Sequence, residues 1–321
     1  MRKIIIDSDP GVDDAFAISI AMKANLEILG ITSVAGNRGL SYTTNNASKL
    51  IKYLNYHTKV YLGSPFNLRA LDDERLQKDI VDAVAIHGLD GLGNSDLEVD
   101  PSNISNQSAI DFILEMVKKY PGEVEILAIG PLTNIALAIK KDFDAMTKVK
   151  AIHIMGGGIN KSNVTEYAEF NFFFDPEAVE IVLDLGKKVP LHIVGLDVTH
   201  QLITNLNDLF FYSHECGDLG KKLASMVSGY VEQYYQMNGY MGAVLHDLVV
   251  VLGIIDPSIY LSKKQLSLKV ATDPIKKGQV TIDEDSLVNA SYYFEIDVKK
   301  AKRLIVEILA SDKLTLYEKY L

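Results

Sequence analysis

The sequence predicts an α/β fold: an open, mostly parallel sheet with helices on both faces and a partly helical C-terminal portion. Two observations predict it. Short runs rich in β-branched residues alternate with helix-length amphipathic segments through the first two-thirds of the chain. From Asn205 onward the pattern is helical, until three late strands and a final helix close the chain. No change of composition marks a linker, so residues 1–321 are predicted to form a single domain.

The composition is that of an ordinary globular protein and excludes several functional classes. Of the 321 residues, 48% are apolar and 23% are charged. The net charge of −10 argues against a nucleic-acid partner bound through its phosphates. Neither a secretion signal nor an apolar stretch of membrane-spanning length is visible, and the single cysteine, Cys216, suits a reducing cytoplasm. We therefore expect a cytoplasmic protein without nucleic-acid or membrane partners.

The first strand, turn and helix carry a high density of carboxylates. Ile4 to Ile6 predict a short strand buried on both faces, Pro10-Gly11 predicts a turn, and a helix then continues through Ile20. Four carboxylates follow the strand directly: Asp7, Asp9, Asp13 and Asp14. They are expected at the carboxyl end of the strand, where open α/β sheets bind ligands.

These four carboxylates favour a site for a hard metal ion. Packed within eight residues, they repel one another unless a cation or shared protons neutralise them. One or two could simply cap the helix, but capping does not require four. Ca²⁺ and Mg²⁺ prefer such oxygen ligands, although an EF-hand is excluded because Ile18 stands where that loop needs its terminal Glu. A phosphatase with an aspartyl nucleophile also begins with strand-Asp-x-Asp, but residues 10–14 fit that pattern poorly.

The middle of the chain continues the alternation. The predicted strands cover 26–35, 60–62, 124–129, 151–155 and 191–194. The predicted helices cover 41–54 and 110–120, run from after Asn134 to Lys141, and start again at Asp175, with a helical patch at 74–85 and a loop at 86–93. Asn37, Thr133 and Met155 lie at the ends of three of these strands, so they are expected on the same rim of the sheet as Asp9.

The C-terminal third is predicted to begin with one long helix, Lys221 to Met237, which Gly239 and Gly242 end. Its tyrosines, at helical spacing, are typical of a core or an interface: Tyr230, Tyr234 and Tyr235. The next helix opens with His246-Asp247. Five histidines are expected to be structural or exposed: His57, His153, His192, His200 and His214.

The segment Asp7-Ser8-Asp9-Pro10-Gly11-Val12-Asp13-Asp14-Ala15 resembles the signature of the inosine–uridine-preferring nucleoside hydrolase family. Further landmarks match in order along nearly the whole chain: Ala35-Gly36-Asn37, Gly130-Pro131-Leu132-Thr133-Asn134, Met155-Gly156-Gly157-Gly158, Ala168-Glu169-Phe170-Asn171 and His246-Asp247. The resemblance implies a single nucleoside hydrolase domain that cleaves the N-glycosidic bond of uridine, cytidine or inosine during nucleoside catabolism and salvage. It also implies a homo-oligomer, a tetramer or a dimer.

The resemblance also implies roles for individual residues. One Ca²⁺ would be held by Asp9, Asp14, Asp247 and the backbone carbonyl of Thr133. Asp9 would accept a proton from a calcium-bound water as the general base, and His246 would protonate the leaving base. The remaining implied contacts are Asp13, Asn37, Met155, Asn163, Glu169 and Asn171 with the ribose, and His87 and Tyr234 with the base.

The chemistry of the bond agrees with those roles. It breaks through an oxocarbenium-like state, so anionic groups around the ribose and a proton donor beside the base both stabilise the transition state. Structural interpretations remain open for several residues: Asn37 could be a turn residue, Glu169 and Asn171 caps or solvated side chains, and His87 a solvated loop histidine.

Two other functions compete with this interpretation. A Mg²⁺-dependent phosphohydrolase could use Asp7 or Asp9 as its nucleophile, but the motif loops offer only Arg38 to hold a phosphate. A non-catalytic nucleoside-binding protein is disfavoured because both Asp9 and His246 are present. As for the base, His246 beside Asp247 resembles the pyrimidine-preferring and broadly acting branches, and the absence of Trp weakens the purine-specific one. The sequence does not choose between uridine or cytidine and inosine.

Overall fold

The computed structural model describes residues 1–79, 87–239 and 241–321. The strands are β1 (Arg2–Ser8), β2 (Leu26–Ser33), β3 (Val60–Leu62), β4 (Ile104–Ser108), β5 (Val124–Ala128), β6 (Ala151–Met155), β7 (Leu191–Val194), β8 (Ile203–Asn205), β9 (Gly242–Val244), β10 (Tyr260–Leu266), β11 (Leu268–Val270), β12 (Val280–Ile282) and β13 (Ala290–Ile296).

The α-helices are α1 (Val12–Lys23), α2 (Leu40–Tyr53), α3 (Leu68–Asp72), α4 (Ala109–Lys119), α5 (Thr133–Lys141), α6 (Phe143–Met146), α7 (Phe170–Phe174), α8 (Pro176–Leu185), α9 (Leu196–Thr199), α10 (Leu206–Glu215), α11 (Gly217–Asn238), α12 (His246–Ile255), α13 (Val298–Ala310) and α14 (Leu314–Tyr317). Short 3₁₀ helices lie at Glu74–Asp79, Pro101–Asn103, Pro257–Ile259 and Ser311–Lys313.

One large sheet organises the molecule. Within the described residues it has nine strands in the order β10-β13-β7-β6-β5-β1-β2-β3-β4. Neighbouring strands are parallel, except that β10 runs antiparallel to β13. The chain moves from β1 outward to β2 on one side and later returns to β5 on the other, which makes the carboxyl end of β1 a topological switch point. The predicted open, mostly parallel sheet is confirmed.

Helices cover both faces of this sheet, as predicted. Ile4 and Ile6 of β1 are fully buried in a core formed mainly with α1, α11, α12 and α13. Ile5, between them, points to the opposite face and packs in a second core with α4, α5 and α8. Because successive side chains of a strand point to opposite faces, the uninterrupted apolar run of β1 serves both cores.

Several predicted elements were wrong in detail. The region after Asn205 is not free of strands, since β9 pairs antiparallel with β8. Gly239, with φ of 75°, does end α11, but Gly242 belongs to β9 rather than to the break. Strand β4 was not predicted from the sequence. It lies at the edge of the sheet, and its polar sequence lacks the apolar signal of a central strand.

The helical patch predicted at 74–85 lies only partly within the described residues. Glu74–Asp79 form a 3₁₀ helix, whereas positions 80–85, and residue 86 of the predicted loop, lie outside the described residues. None of the helices described is long and apolar enough to cross a lipid bilayer.

Candidate active site

Four buried carboxylates meet at the carboxyl end of β1, and we call them the carboxylate floor: Asp9, Asp13, Asp14 and Asp247. The turn after β1 and the first turn of α1 supply three of them, and the start of α12 supplies Asp247. Carboxylate oxygens of Asp13, Asp14 and Asp247 lie within 4.8 Å of one another. Folding therefore joins the two sequence motifs that were expected to share a site.

Hydrogen bonds hold the floor in place. Asp14 accepts from the Ser8 hydroxyl at 2.6 Å and from the backbone N–H of Gly11 at 2.9 Å, so it caps α1 in addition to facing the other carboxylates. Asn37 donates its backbone N–H to Oδ2 of Asp9 at 2.6 Å and its side-chain amide to Oδ2 of Asp14 at 3.1 Å. Asn37 does not have a positive φ, so its place is explained by these bonds rather than by a left-handed turn.

The floor is electrostatically incomplete without a positive charge. Burial raises the pKa of all four carboxyl groups, and the charges of neighbouring carboxylates add to this for Asp9, Asp13 and Asp247; together they raise the pKa of Asp13 to about 8. Oδ1 of Asp9 and Oδ1 of Asp13 are buried without a hydrogen-bond partner among the described residues. Unpartnered buried oxygens in a cluster of carboxylates are the ligands that a hard cation needs, so the residues present fit a metal ion.

A cavity of about 530 Å³ opens above the floor. Its size suits a ligand of small-molecule dimensions. Asp9, Asp13 and Asp247 lie in its wall, and a carboxylate oxygen of Asp14 lies within 4.8 Å of oxygens of Asp13 and Asp247. The other residues that the sequence analysis singled out and that line the cavity are Asn37, His87, Met155, Asn163, Glu169, Asn171, Tyr234 and His246.

One side of the cavity is lined by amide and carboxylate groups. Glu169 accepts the backbone N–H groups of Gly157, Asn171 and Phe172, at 2.8 to 3.1 Å, and so caps α7 while lining the cavity. Asn171 donates to the carbonyl oxygens of Ile129 and Met155 at 3.1 and 3.2 Å. The capping interpretation of Glu169 is therefore correct without excluding a ligand contact.

The other side of the cavity is aromatic and imidazole-rich. Nδ1 of His246 lies 2.8 Å from the Thr199 hydroxyl, and its Nε2 lies 2.9 Å from the Tyr234 hydroxyl. His87 accepts the backbone N–H of Val12 at its Nδ1, at 3.1 Å, and therefore carries its proton on Nε2 when neutral. By residue type the lining thus divides into a polar half and an aromatic half, which suits a ligand that joins a polyol to a flat ring.

Both histidines are neutral near pH 7. Burial, and then the charge of the nearby His200, lower the pKa of His246 to about 3. Burial, and then the charge of Arg38, lower the pKa of His87 to about 4. Neither imidazole is therefore positively charged before a ligand binds. Any proton that His246 donates comes from its neutral N–H or is passed along its hydrogen bonds.

Thr133 begins α5, and its hydroxyl donates to the Asp175 carboxylate at 2.6 Å. Like Asp14, Thr133 is fully buried and is not among the residues that line the cavity. Gly130, which opens the same motif, lies against the floor, since a Cβ there would be 2.7 Å from Oδ1 of Asp9. The assignment of the Thr133 carbonyl to a metal ion stays a prediction.

Several cavity residues were missed in the sequence: Ile129, Lys161, Ser162, Val164, Phe170, His200, Ile203, Tyr230 and Gln233. His200, expected to be structural or exposed, lines the cavity with its ring 5.3 Å from that of His246. Tyr230 and Tyr234 share one face of α11, and that face borders the cavity rather than only the core. Their spacing was the available signal, but it does not say what the face meets.

Arg38, the arginine that a phosphohydrolase would need to hold a phosphate, is engaged in contacts with other residues of the chain. Its guanidinium donates to the carbonyl oxygens of Gly88 and Leu89 at 3.1 and 2.6 Å and lies 4.1 Å from the Tyr42 ring centroid. It does not line the cavity. The motif loops therefore present no arginine to a phosphate there.

Comparison with known proteins agrees with this geometry. Residues 4–306 match the family model of the inosine-uridine preferring nucleoside hydrolases. Uridine nucleosidase 1 of Arabidopsis thaliana is 37% identical over 88% of this chain and 82% of its own length. A plant nucleoside hydrolase, PpNRh1, superposes with a TM-score of 0.89 at 29% identity, over 97% of this chain and 99% of its own. A purine-preferring ribonucleoside hydrolase of Gardnerella vaginalis superposes with a TM-score of 0.88 at 28% identity, over 97% and 98%.

The match spans the landmarks on which the resemblance was first based, and the structure brings most of them to one cavity. The chain belongs to the inosine-uridine preferring nucleoside hydrolase family and is an enzyme that hydrolyses the N-glycosidic bond of ribonucleosides.

Proposed function

We propose that this nucleoside hydrolase is calcium-dependent and that the carboxylate floor holds the ion. The observation that carries the proposal is the set of buried, mutually repelling carboxylates with unpartnered oxygens on Asp9 and Asp13. Asp9, Asp14 and Asp247 would be the side-chain ligands, and the backbone carbonyl of the buried Thr133 the main-chain one. A cage of several carboxylates favours Ca²⁺, because Mg²⁺ usually keeps most of its waters and takes one or two carboxylates.

When bound, the ion supplies positive charge that offsets the floor and favours deprotonation of a water at the ribose. Asp9 is the group that we assign to accept that proton. Its Oδ2 is already used by the Asn37 N–H, and its Oδ1 is buried without a partner among the described residues.

The polar half of the cavity is assigned to the ribose. Asp13, Asn37, Asn163, Glu169 and Asn171 offer acceptors and amide donors to its hydroxyl groups, and Met155 lies at the end of β6 beside them. Carboxylates next to the ribose also stabilise the positive charge that develops on it as the bond breaks.

The aromatic half is assigned to the base. We propose that His246 and Tyr234 together deliver the proton to the departing base, since they share a hydrogen bond at 2.9 Å and both line the cavity. A neutral imidazole bonded to a hydroxyl on each side can hand on a proton without being charged beforehand. His87, a donor through Nε2, is the assigned third contact with the base.

Uridine is the proposed preferred substrate. The support is the closer match to a uridine nucleosidase, at 37% identity, than to the purine-preferring structure, at 28%. Free ribose released from uridine, cytidine, inosine and adenosine, with and without a calcium chelator, tests preference and metal together. Release that persists after chelation, at an unchanged rate, would contradict the calcium proposal. Turnover of p-nitrophenyl phosphate instead of nucleosides would support a phosphohydrolase, and binding without release a non-catalytic protein.

We also propose a cytoplasmic homo-oligomer, a dimer or a tetramer. The support is the family resemblance, together with a Cys216 that is free and buried, as suits a reducing compartment. Large apolar side chains such as Ile275 and Leu287 are 79% and 74% exposed, which fits a surface used for contact between copies. Light scattering after size-exclusion chromatography measures the oligomeric state directly.

A further inference from the structure

A four-residue helix, α9, contacts both halves of the cavity. It follows β7 directly, and its Thr199 bonds to His246 on the base side. Its Asp197 points in another direction, to the segment that leaves β6 and enters the ribose side. Thr199 bonds to His246, which already has a proposed role on the base side. Asp197 has no role in the sequence motifs or in the proposed mechanism.

The Asp197 carboxylate has three well-formed partners. Oδ2 accepts the backbone N–H of Ile159 at 2.7 Å, and Oδ1 accepts that of Asn160 at 3.0 Å. Oδ2 also accepts the hydroxyl of Tyr292 at 2.6 Å. Because charged acceptors form the stronger hydrogen bonds, this carboxylate fixes the start of the segment 159–163.

The surroundings of Asp197 hold it in place. Tyr292 lies on β13 and is fully buried. Gly195 precedes α9, and a Cβ there would lie 2.2 Å from the Tyr292 hydroxyl, so glycine is needed for this packing. Gln201 donates to the carbonyl oxygens of Asp197 and Phe294, which ties the main chain of α9 to β13 as well. Asp197 is therefore an anchored group and the segment is what it anchors.

The segment continues into the cavity wall. Gly158 makes a tight turn, in which a Cβ would lie 2.1 Å from the carbonyl oxygen of Lys161. Lys161, Ser162 and Asn163 then line the cavity. At its far end the segment is held by Asn163, whose Oδ1 accepts the backbone N–H of Phe170 at 3.0 Å. Asp197 supplies the corresponding hold at the near end.

We propose that Asp197 is a positioning residue for nucleoside binding: by holding the backbone N–H groups of Ile159 and Asn160, it sets Asn163 against the ribose. The proposal rests on the proposed assignment of Asn163 to the ribose. The hydrogen bonds of the Asp197 carboxylate go to Ile159, Asn160 and Tyr292, and its charge also reaches His200. Its main effect is therefore expected on how the nucleoside is held.

Replacement of Asp197 by Ala tests the proposal. Loss of ground-state and transition-state binding together raises KM and leaves kcat nearly unchanged, so we expect KM for uridine to rise roughly tenfold to a hundredfold and kcat to stay within about threefold. Asp197→Asn, which keeps one acceptor oxygen, should recover part of the loss. If Asp197→Ala does not fold, the comparison of Asp197→Asn with the wild type carries the test. Asp184→Asn, on an exposed part of α8, is the matched control and should match the wild type.

A double-mutant cycle with Asn163→Ala identifies the route of the effect. If Asp197 acts by placing Asn163, the double variant has a KM close to that of Asn163→Ala alone. Rises in KM that multiply, or an unchanged KM in folded Asp197→Ala and Asp197→Asn, would overturn the proposal. Calcium affinity, measured by calorimetry, should be equal in all variants. If the wild-type enzyme needs no calcium, the calcium proposal is contradicted. If Asn163→Ala leaves KM unchanged, the assignment of Asn163 to the ribose is contradicted. Both results differ from an unchanged KM in the Asp197 variants, which contradicts the role of Asp197.

Discussion

The backbone N–H of Asn37 lies 2.6 Å from Oδ2 of Asp9, so the two oxygens of this carboxylate have different roles. Oδ2 is occupied by the turn after β2, while Oδ1 is buried without a partner among the described residues. The same side chain can thus close the turn of one strand and keep an oxygen for chemistry.

Asp9→Asn should separate these two uses. The amide keeps an oxygen for the Asn37 N–H but cannot accept a proton, so we expect kcat for uridine to fall about 10²- to 10⁴-fold. In metal-stripped enzyme the thermal midpoint should not fall, since one carboxylate fewer relieves repulsion in the floor. Steady-state kinetics and a thermal melt measure both effects. A variant with full activity would remove Asp9 from the mechanism.

His246→Ala should affect substrates unequally. Without His246, the departing base loses its proton source and the Tyr234 hydroxyl loses its partner at 2.9 Å. Uridine turnover should fall by about 10²- to 10⁴-fold. p-Nitrophenyl riboside, whose leaving group departs without being protonated, should be cleaved at close to the wild-type rate. Equal losses with both substrates would indicate that His246 supports the ribose or the fold and does not act as the acid.

His192 should make stability depend on pH below neutrality. Its ring stacks 4.8 Å from that of His153 and bonds to the Tyr293 hydroxyl, and burial lowers its pKa to about 4. The charges that act on it are those of His153, Lys263, Glu125 and Arg2, and of these only Glu125 raises its pKa.

The sign of the effect follows from that lowered pKa. Between pH 6.5 and about 4 the unfolded chain binds more protons at this residue than the folded one, so the contribution of His192 to stability is complete above pH 6.5 and is lost as the pH falls to about 4. His192→Phe keeps a stacked ring and should show a smaller loss of thermal midpoint over that interval. Identical pH profiles for variant and wild type would contradict the assignment.

The sequence predicted the site best where a side chain carries the function. Asp9, Asp13, Asp14 and Asp247 belong to dense polar motifs next to strand ends or helix starts, and the parallel sheet brings those ends to one edge. The order of the alternating elements was sufficient to predict that edge.

The sequence was less informative about functional groups of the main chain and about residues that only the strand order brings to the cavity. A main-chain carbonyl leaves no mark in the sequence, so the role of the Thr133 carbonyl comes from the family resemblance alone and stays a prediction. Asp197 lies in a four-residue helix without a motif and His200 directly follows that helix, and only the packing of β7 between β6 and β13 brings them to the cavity region. The face of α11 that bears Tyr230 could equally have met the core.

The measurement that most directly tests the account is a calorimetric titration of Ca²⁺ into metal-stripped enzyme, with uridine hydrolysis followed in parallel. We expect one ion per chain, a rise in the thermal midpoint on binding, and activity restored in proportion to occupancy. Asp247→Asn should weaken both binding and activity, while exposed Asp184→Asn should behave as the wild type. Metal-stripped enzyme that neither binds Ca²⁺ nor loses its turnover of uridine would contradict the account.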